Sequence, residues 1–195
     1  MLRRAIIAVV GGGQNHVPPL SSTYSLAESV GQLIATRGGI LLCGGGSGVM
    51  EAAAKGAFPL RGQTIGIMKE RAGGQKSHLG LMVWTGLEDG RNYVNAAAAD
   101  AMIALQGEAG TLSEIALALK LRRPVVCLKS WEFLAQAGFP VRCCTQPDEA
   151  VAAAFQAIGA DAAGFAEAAV AYPCLPDQTV QHQTFEAAVN GWSGA

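Results

Sequence analysis

Apolar side chains in this chain follow two alternating patterns along most of its length. Short runs rich in Val, Ile and Leu alternate with longer stretches in which apolar residues recur at helical spacing. The short runs predict strands at Ala5–Val10, Gly39–Cys43, Thr64–Met68, Leu81–Trp84, Ala101–Leu105, Pro124–Leu128 and Val141–Thr145. The longer stretches predict helices at Tyr24–Arg37, Gly48–Phe58, Arg91–Ala99, Thr111–Leu121 and Asp148–Ile158.

Nearly continuous apolar strands that alternate with helices are typical of a parallel sheet buried on both faces. The pattern therefore predicts a Rossmann-like, doubly wound α/β fold: a mostly parallel sheet of about seven strands with helices on both faces. Right-handed crossovers then place every strand-to-helix loop at the carboxyl edge of the sheet, where such folds bind ligands.

The length of 195 residues fits one domain, which we assign to residues 1–158. The alternating pattern weakens beyond that point. We expect residues 159–195 to form a C-terminal extension that packs on the core or on a neighbouring subunit. A disordered tail is the alternative, and the aromatic side chains that argue against it are Phe165, Tyr172, Phe185 and Trp192.

The composition bears on the oligomeric state, the location and the metal binding of the protein. Half of the residues are hydrophobic and 15% are charged, which indicates that a partner subunit covers part of the surface, so we expect a homo-oligomer, either dimer or tetramer. No run reaches the roughly 18 apolar residues of a membrane span, so we expect no membrane association and a cytoplasmic location. The five cysteines show no CxxC spacing and the three histidines are scattered, so no metal site is expected.

Charge is distributed unevenly along the chain. All 14 Lys and Arg residues lie at or before Arg142, together with nine acidic residues, whereas six acidic residues and no basic ones follow. A modestly positive core suits a small anionic ligand, although chance variation of surface charge explains the same numbers. No dense basic stripe with interleaved aromatic residues is present, so we expect no nucleic-acid partner.

Three glycine-rich loops follow predicted strands: Gly11–Gly13, Gly44–Met50 and Gln106–Thr111. Glycines let a loop turn sharply and present backbone N–H groups, and the second and third loops open into helices whose N-termini attract anions. Three such loops at one sheet edge favour a nucleotide-like or phosphate-bearing ligand; tight connections alone are the alternative. Neither the P-loop sequence nor the dinucleotide fingerprint is present, which argues against a dehydrogenase.

Two of these loops carry recognisable motifs. The segment from Gly44 to Glu51, GGGSGVME, followed by Lys55-Gly56-Ala57, resembles the GGGxxGxM…GA segment of the LOG-like Rossmann proteins. The run from Gln106 to Glu114 stands where that family has PGGxGTxxE. Together with the segments 85–87, 91–92 and 111–120, these motifs are most similar to the branch that contains the molybdenum-cofactor carrier proteins. The resemblance spans Ala5 to Ile158.

The resemblance implies a ligand and two alternative functions. A carrier would hold a nucleotide or a molybdopterin-type cofactor without chemistry, whereas LOG enzymes are phosphoribohydrolases that cleave nucleoside 5′-monophosphates. The catalytic positions of the enzymes correspond to Arg91 and Glu114. A nucleotide sensor acting on a partner protein ranks third. The candidate ligand-binding residues are Gly12, Gly13, Gly44, Gly45, Gly46, Ser47, Gly48, Met50, Asn92, Gly107, Glu108, Gly110 and Thr111.

Structural roles compete with these assignments. Thr111 and Glu114 have the spacing of a capping box, in which Glu114 would bond the backbone at the start of the helix. Arg91 has Glu88 and Asp89 as surface partners within reach. For Asn92 the alternative is a helix cap, and for Met50 it is packing in the core.

The third loop departs from the family motif at two positions. Gln106 replaces a proline and Glu108 replaces a glycine. A carboxylate at the mouth of a phosphate site repels the phosphate, and a side chain there is strained if the loop needs a positive φ. We therefore expect one of three arrangements: Glu108 points to solvent, the ligand presents something other than a bare phosphate, or Mg²⁺ or Lys69 neutralises the carboxylate.

Overall fold

The computed structural model describes residues 3–70 and 77–159, and within them seven strands form one sheet. Every neighbouring pair is parallel, and the strand order is β4-β3-β2-β1-β5-β6-β7. The strands are β1 (Ile6–Val10), β2 (Ile40–Cys43), β3 (Gln63–Met68), β4 (Leu81–Trp84), β5 (Ala101–Ala104), β6 (Val125–Leu128) and β7 (Val141–Cys144). The predicted Rossmann-like fold class is confirmed.

Six helices cover both faces of the sheet in this part of the chain. They are α1 (Ser22–Thr36), α2 (Val49–Ala57), α3 (Arg91–Ala98), α4 (Ala109–Lys120), α5 (Glu132–Gln136) and α6 (Pro147–Ala157). The buried apolar side chains of α1, α2 and α6 form one core layer with the sheet. Those of α3, α4 and α5 form a second layer on the opposite face. The five inner strands are thus mostly buried from both sides, which explains their nearly uninterrupted apolar runs, whereas the edge strands β4 and β7 are largely exposed.

Helices α1 and α2 pack unusually close to each other. A Cβ at Gly31 of α1 would overlap the carbonyl oxygen of Ala53, and one at Gly56 of α2 would overlap that of Glu28. The N-terminus of α1 is fixed by Ser21, whose Oγ accepts a 3.2 Å hydrogen bond from the backbone N–H of Tyr24. The close packing fixes α2 against the rest of this layer, and so fixes the glycine-rich loop that precedes it.

The strand order reverses direction at β1. Chain connections run from β1 to β2, β3 and β4 on one side, and through β5, β6 and β7 on the other. The loops that leave the carboxyl ends of β1 and β5 therefore diverge and open a crevice between them, which is where doubly wound folds bind ligands. The three glycine-rich loops follow β1, β2 and β5, as the sequence predicts.

Two differences from the predicted elements bear on the cleft or on the helix count. Helix α4 begins at Ala109 rather than Thr111, and the short helix α5 was not predicted. Residues 160–195, which include nearly all of the predicted C-terminal extension, lie outside the described part of the chain. Within residues 3–70 and 77–159, no helix is long and apolar enough to cross a membrane.

Candidate ligand-binding cleft

An open cleft lies at the crevice between the carboxyl ends of β1 and β5. It encloses about 540 Å³, counting the space open to solvent. Backbone from the first and third glycine-rich loops forms one wall, and side chains from the end of β3 and from α3 form another. The lining residues are Gly11, Gly12, Gly13, Met50, Lys69, Asp89, Arg91, Asn92, Glu108, Gly110, Thr111 and Glu114.

The first two glycine-rich loops are bonded to each other. The first N–H of α2, at Val49, donates to the carbonyl oxygen of Gly12 over 3.0 Å, and the N–H of Gln14 donates to Oγ of Ser47 over 3.1 Å. Gly48 has a φ of +67° and a ψ of −125°, a conformation that favours glycine. A Cβ there would overlap the carbonyl oxygen of Gly12. Gly48 therefore allows the two loops to approach each other.

The third loop is bonded to the first and opens directly into α4. The N–H of Gly12 donates to the carbonyl oxygen of Gln106 over 2.6 Å. The first helical bond at this end runs from the N–H of Leu112 to the carbonyl oxygen of Glu108, so the N–H groups of residues 109–111 precede it. Gly110 and Thr111 of this first turn line the cleft. Unpaired N–H groups and the helix dipole make this end of α4 a favourable position for an anion.

Arg91 begins α3 and extends along the base of the cleft. Its guanidinium occupies the space that a Cβ at Gly44 would need, and Nη1 donates a 3.4 Å hydrogen bond to the carbonyl oxygen of Ile67. The Nε atom is buried and has no hydrogen-bond partner among the described residues. The predicted surface ion pair of Arg91 with Glu88 or Asp89 is wrong, because the guanidinium is turned into the cleft and Asp89 pairs with Lys69.

Glu114 is a buried carboxylic acid at the back of the cleft. Its side chain projects from the second turn of α4, and Oε1 accepts a 2.7 Å hydrogen bond from Nδ2 of Asn95 on α3. Burial raises the pKa of Glu114, while the bond from Asn95 and the charge of Arg91 partly offset this effect. The capping-box interpretation is wrong, because α4 begins before Thr111 and Glu114 bonds to another helix.

The structure shows which of the alternative roles considered for Asn92 and for Met50 is present. The side chain of Asn92 does not cap α3, which already begins at Arg91; instead Nδ2 donates to Oγ of Ser113 over 2.8 Å, joining α3 to the first turns of α4. Met50 is half-buried, packs against the core and also lines the cleft. Met50 therefore occupies both of the environments considered for it, the core and the cleft.

Glu108 contacts a residue that the sequence did not indicate. Its Oε1 lies 2.9 Å from Nε2 of His16, in the loop after β1. Lys69 forms an ion pair with Asp89 instead, and this pair lowers the pKa of Asp89. Of the three arrangements expected for Glu108, neutralisation by Lys69 is therefore wrong, whereas the Glu108 side chain is 66% exposed, as expected if it points to solvent. The concern about backbone strain is also wrong, because Glu108 has a φ of −121°, which any residue adopts.

The cleft brings together most, but not all, of the candidate residues. Those that line it are Gly12, Gly13, Met50, Arg91, Asn92, Glu108, Gly110, Thr111 and Glu114. Gly44, Ser47, Gly48 and Gly107 lie behind this surface and shape it: a Cβ at Gly107, for example, would overlap Oγ1 of Thr111. Gly45 and Gly46 line a smaller neighbouring pocket that shares Met50 with the cleft.

Sequence reasoning named Lys69 only as a partner of Glu108, and it missed Asn95 and His16. Lys69 directly follows β3 at the carboxyl edge, so its position in the fold was a usable signal that it lines the cleft. Asn95 lies one helical turn after Arg91, on the same face of α3, and that spacing was also readable. His16 had no local signal. Among the described residues, no cluster of three or more His, Cys, Asp or Glu side chains could hold a metal ion.

The fold and the cleft define an α/β protein of the Rossmann type with an open cleft at the switch point of its sheet. The chain belongs to the SLOG cluster4 family, whose model matches residues 4–154. The resemblance to the LOG-like Rossmann proteins is therefore confirmed.

Three known proteins are similar to this chain. The molybdenum cofactor binding protein of the phototrophic bacterium Rippkaea orientalis is 36% identical, with a TM-score of 0.71 over 78% of this chain and 96% of that one. The molybdenum cofactor carrier protein of Chlamydomonas reinhardtii is 34% identical, with a TM-score of 0.71 over 78% and 98%. An uncharacterized protein of Archaeoglobus fulgidus is 37% identical over 123 residues, which are 63% of this chain and 79% of that protein.

Proposed function

We propose that this protein binds a phosphate-bearing small molecule of the molybdopterin type and carries it without transforming it. The observation that carries the proposal is the first turn of α4, where Gly110 and Thr111 precede the first helical hydrogen bond and line a cleft formed by the loops after β1 and β5. The names of the two solved relatives support the choice of a molybdopterin-type ligand over an ordinary nucleotide.

The residues present fit such a group. The N–H groups at Gly110 and Thr111 suit a terminal phosphate, and the buried, unpaired Nε of Arg91 lies in the side chain that lines the same cleft. The cofactor, when bound, supplies the redox chemistry of its metal. The chain contributes donors for the phosphate and a half-buried thioether at Met50 for apolar contact.

Gly110 gives a sharp test of this proposal. It lines the cleft, and a Cβ there would meet nothing within 4 Å, so a larger side chain fits without moving the backbone. Gly110→Asp puts a carboxylate where the phosphate is proposed to bind, and Gly110→Asn is the matched control of the same size without the charge. An acid in the first turn of a helix also stabilises the fold, so lost binding would not reflect unfolding.

The full-length protein would be isolated from cells that make molybdenum cofactor and from cells blocked in its synthesis. Bound pterin would be released by oxidation and quantified by fluorescence, and molybdenum by mass spectrometry. We expect pterin and molybdenum with the wild-type protein from the first cells only, a loss with Gly110→Asp, and substantial retention with Gly110→Asn. Equal amounts of pterin with wild type and Gly110→Asp would overturn the proposed site, and no pterin with the wild type would overturn the proposed ligand.

A second candidate function is hydrolysis of nucleoside 5′-monophosphates. Arg91 and Glu114 line the same cleft, which is the arrangement that the LOG enzymes would require. A carboxylate there would stabilise the positive charge that develops on the ribose. Glu114→Gln tests this function well, because its amide oxygen still accepts the bond from Asn95. Release of free base from a panel of monophosphates by the wild type, and not by Glu114→Gln, would establish the enzyme. No release from any of them supports the carrier.

A further inference from the structure

Glu108 occupies a distinctive position at the mouth of the cleft. It is the residue immediately before α4, and its carbonyl oxygen accepts the first helical bond, so its side chain lies beside the proposed phosphate position. His16 holds one carboxylate oxygen at 2.9 Å from Nε2. The Glu108 side chain is nevertheless 66% exposed and lines the cleft, so a ligand entering the cleft meets its charge.

The charges lining the cleft do not favour a highly anionic ligand. Two cations, Lys69 and Arg91, face three acids, Asp89, Glu108 and Glu114. Lys69 is already paired with Asp89. The guanidinium of Arg91 is therefore the only cationic side chain of the lining that has no ion-pair partner among the described residues. Binding of one phosphate then rests mainly on backbone N–H groups, and no cation of the lining is free to compensate a second phosphate.

We propose that Glu108 makes this site selective for a ligand with a single phosphate over the corresponding diphosphate. The inference rests on the proposed function, because it concerns the ligand of the same cleft. A phosphate seated at the N-terminus of α4 is stabilised by the helix dipole and the N–H groups. A further phosphate extends past that short-range stabilisation and adds negative charge close to the Glu108 carboxylate. Each added unit charge at about 4 Å weakens binding by about fivefold in a water-like medium.

Orthophosphate and pyrophosphate test the selectivity without requiring the whole ligand. Their dissociation constants for the full-length protein would be measured by calorimetry in metal-free buffer at constant ionic strength. The variants are Glu108→Gln, which keeps the size of the side chain, and Glu51→Gln as the matched control. Glu51 is an exposed acid in the first turn of α2 and does not line the cleft, so its loss changes the net charge equally at another helix N-terminus.

We expect wild-type protein to bind orthophosphate at least about fivefold more tightly than pyrophosphate. Glu108→Gln should reduce this ratio by about fivefold or more, and Glu51→Gln should leave it within about twofold of the wild-type value. If the wild type binds both ions equally, or if Glu108→Gln leaves the ratio unchanged, the selectivity is overturned while the phosphate site stands. If neither ion binds to the wild type or to Glu108→Gln, the proposed phosphate site fails and the selectivity fails with it.

Discussion

The guanidinium of Arg91 lies against the backbone of Gly44, in the space that a Cβ at position 44 would occupy. Gly44 begins the second glycine-rich loop, whereas Arg91 begins α3, which packs on the opposite face of the sheet from α2. The glycine therefore determines where the arginine can lie, although the two residues are far apart in sequence. This relationship gives the loop motif a function beyond chain reversal: it makes room for the cationic side chain of the cleft.

Gly44→Ala should displace Arg91 with little effect on stability. The clash is with the far end of a flexible side chain, so we expect a loss of about 1 kcal/mol or less in the free energy of unfolding. Orthophosphate affinity should fall severalfold, because the guanidinium leaves the cleft. Urea unfolding and calorimetry would measure the two effects. Gly80→Ala is the control, since its Cβ would only reach ordinary contact at 3.5 Å. A large stability loss, or unchanged affinity, would contradict this assignment.

Gly48→Ala should be strongly destabilising. Gly86→Ala provides a comparison at a residue that also has a positive φ but where an added Cβ would meet no neighbouring atom. Both glycines have a nearly equal positive φ, +67° and +66°. A Cβ at Gly48 would also overlap the backbone of Gly12 and Gly13, whereas one at Gly86 would meet nothing within 4 Å. We expect a loss of about 3 kcal/mol or more for Gly48→Ala and about 1 to 2 kcal/mol for Gly86→Ala. Similar losses in urea unfolding would show that the loops can separate freely.

The buried carboxyl group of Glu114 should make stability depend on pH. Burial raises its pKa in the folded protein above that of the unfolded chain, so the folded state holds this proton more tightly. The stability that the folded state gains from holding this proton is fully present below the ordinary carboxyl pKa. It is lost as the pH rises through the raised pKa of Glu114. The stability of wild type relative to Glu114→Gln should therefore decrease from about pH 4 towards neutrality.

Urea unfolding of both proteins across that range would measure the difference. Because all other titrating groups are shared, acid denaturation of the rest of the molecule cancels in the comparison. A difference that rises with pH would mean that Arg91 and Asn95 together outweigh the cost of burial, and that the pKa of Glu114 is lowered instead.

The fold was predictable because its five inner strands are mostly buried on both faces and so form nearly continuous apolar runs. Short runs rich in apolar residues located all seven strands to within about two residues at either end. Helix α5 escaped notice because Glu132–Gln136 is too short to show helical periodicity. The start of α4 was misplaced because Ala109 and Gly110 are indistinguishable from loop residues in sequence, while the anion-attracting end of the helix depends on them.

The loops of the cleft were predictable, but the partners of its side chains were not. Glycine-rich segments after strands indicate a ligand edge by local sequence alone. The pairing of His16 with Glu108 joins residues on two different loops, and Asn95 reaches Glu114 from another helix. Such contacts depend on how loops and helices pack, which no local pattern encodes. This is why the capping box at Thr111 and the pairing of Lys69 with Glu108 were plausible and wrong.

Cys43 should resist alkylation in the folded protein although it lies next to the cleft loops. Burial raises the pKa of its thiol to about 11, so roughly one thiol in a thousand is ionised at pH 8. Cys127 is also buried, whereas Cys143 on the edge strand β7 is exposed. Iodoacetamide followed by mass spectrometry should modify Cys143 first, and Cys43 and Cys127 only in urea. Replacing Cys174, which lies outside the described residues, with Ser removes its reaction from the comparison. Rapid native labelling of Cys43 would mean that the loop from Gly44 to Gly48 opens, and the cleft that depends on this loop would then not be preformed.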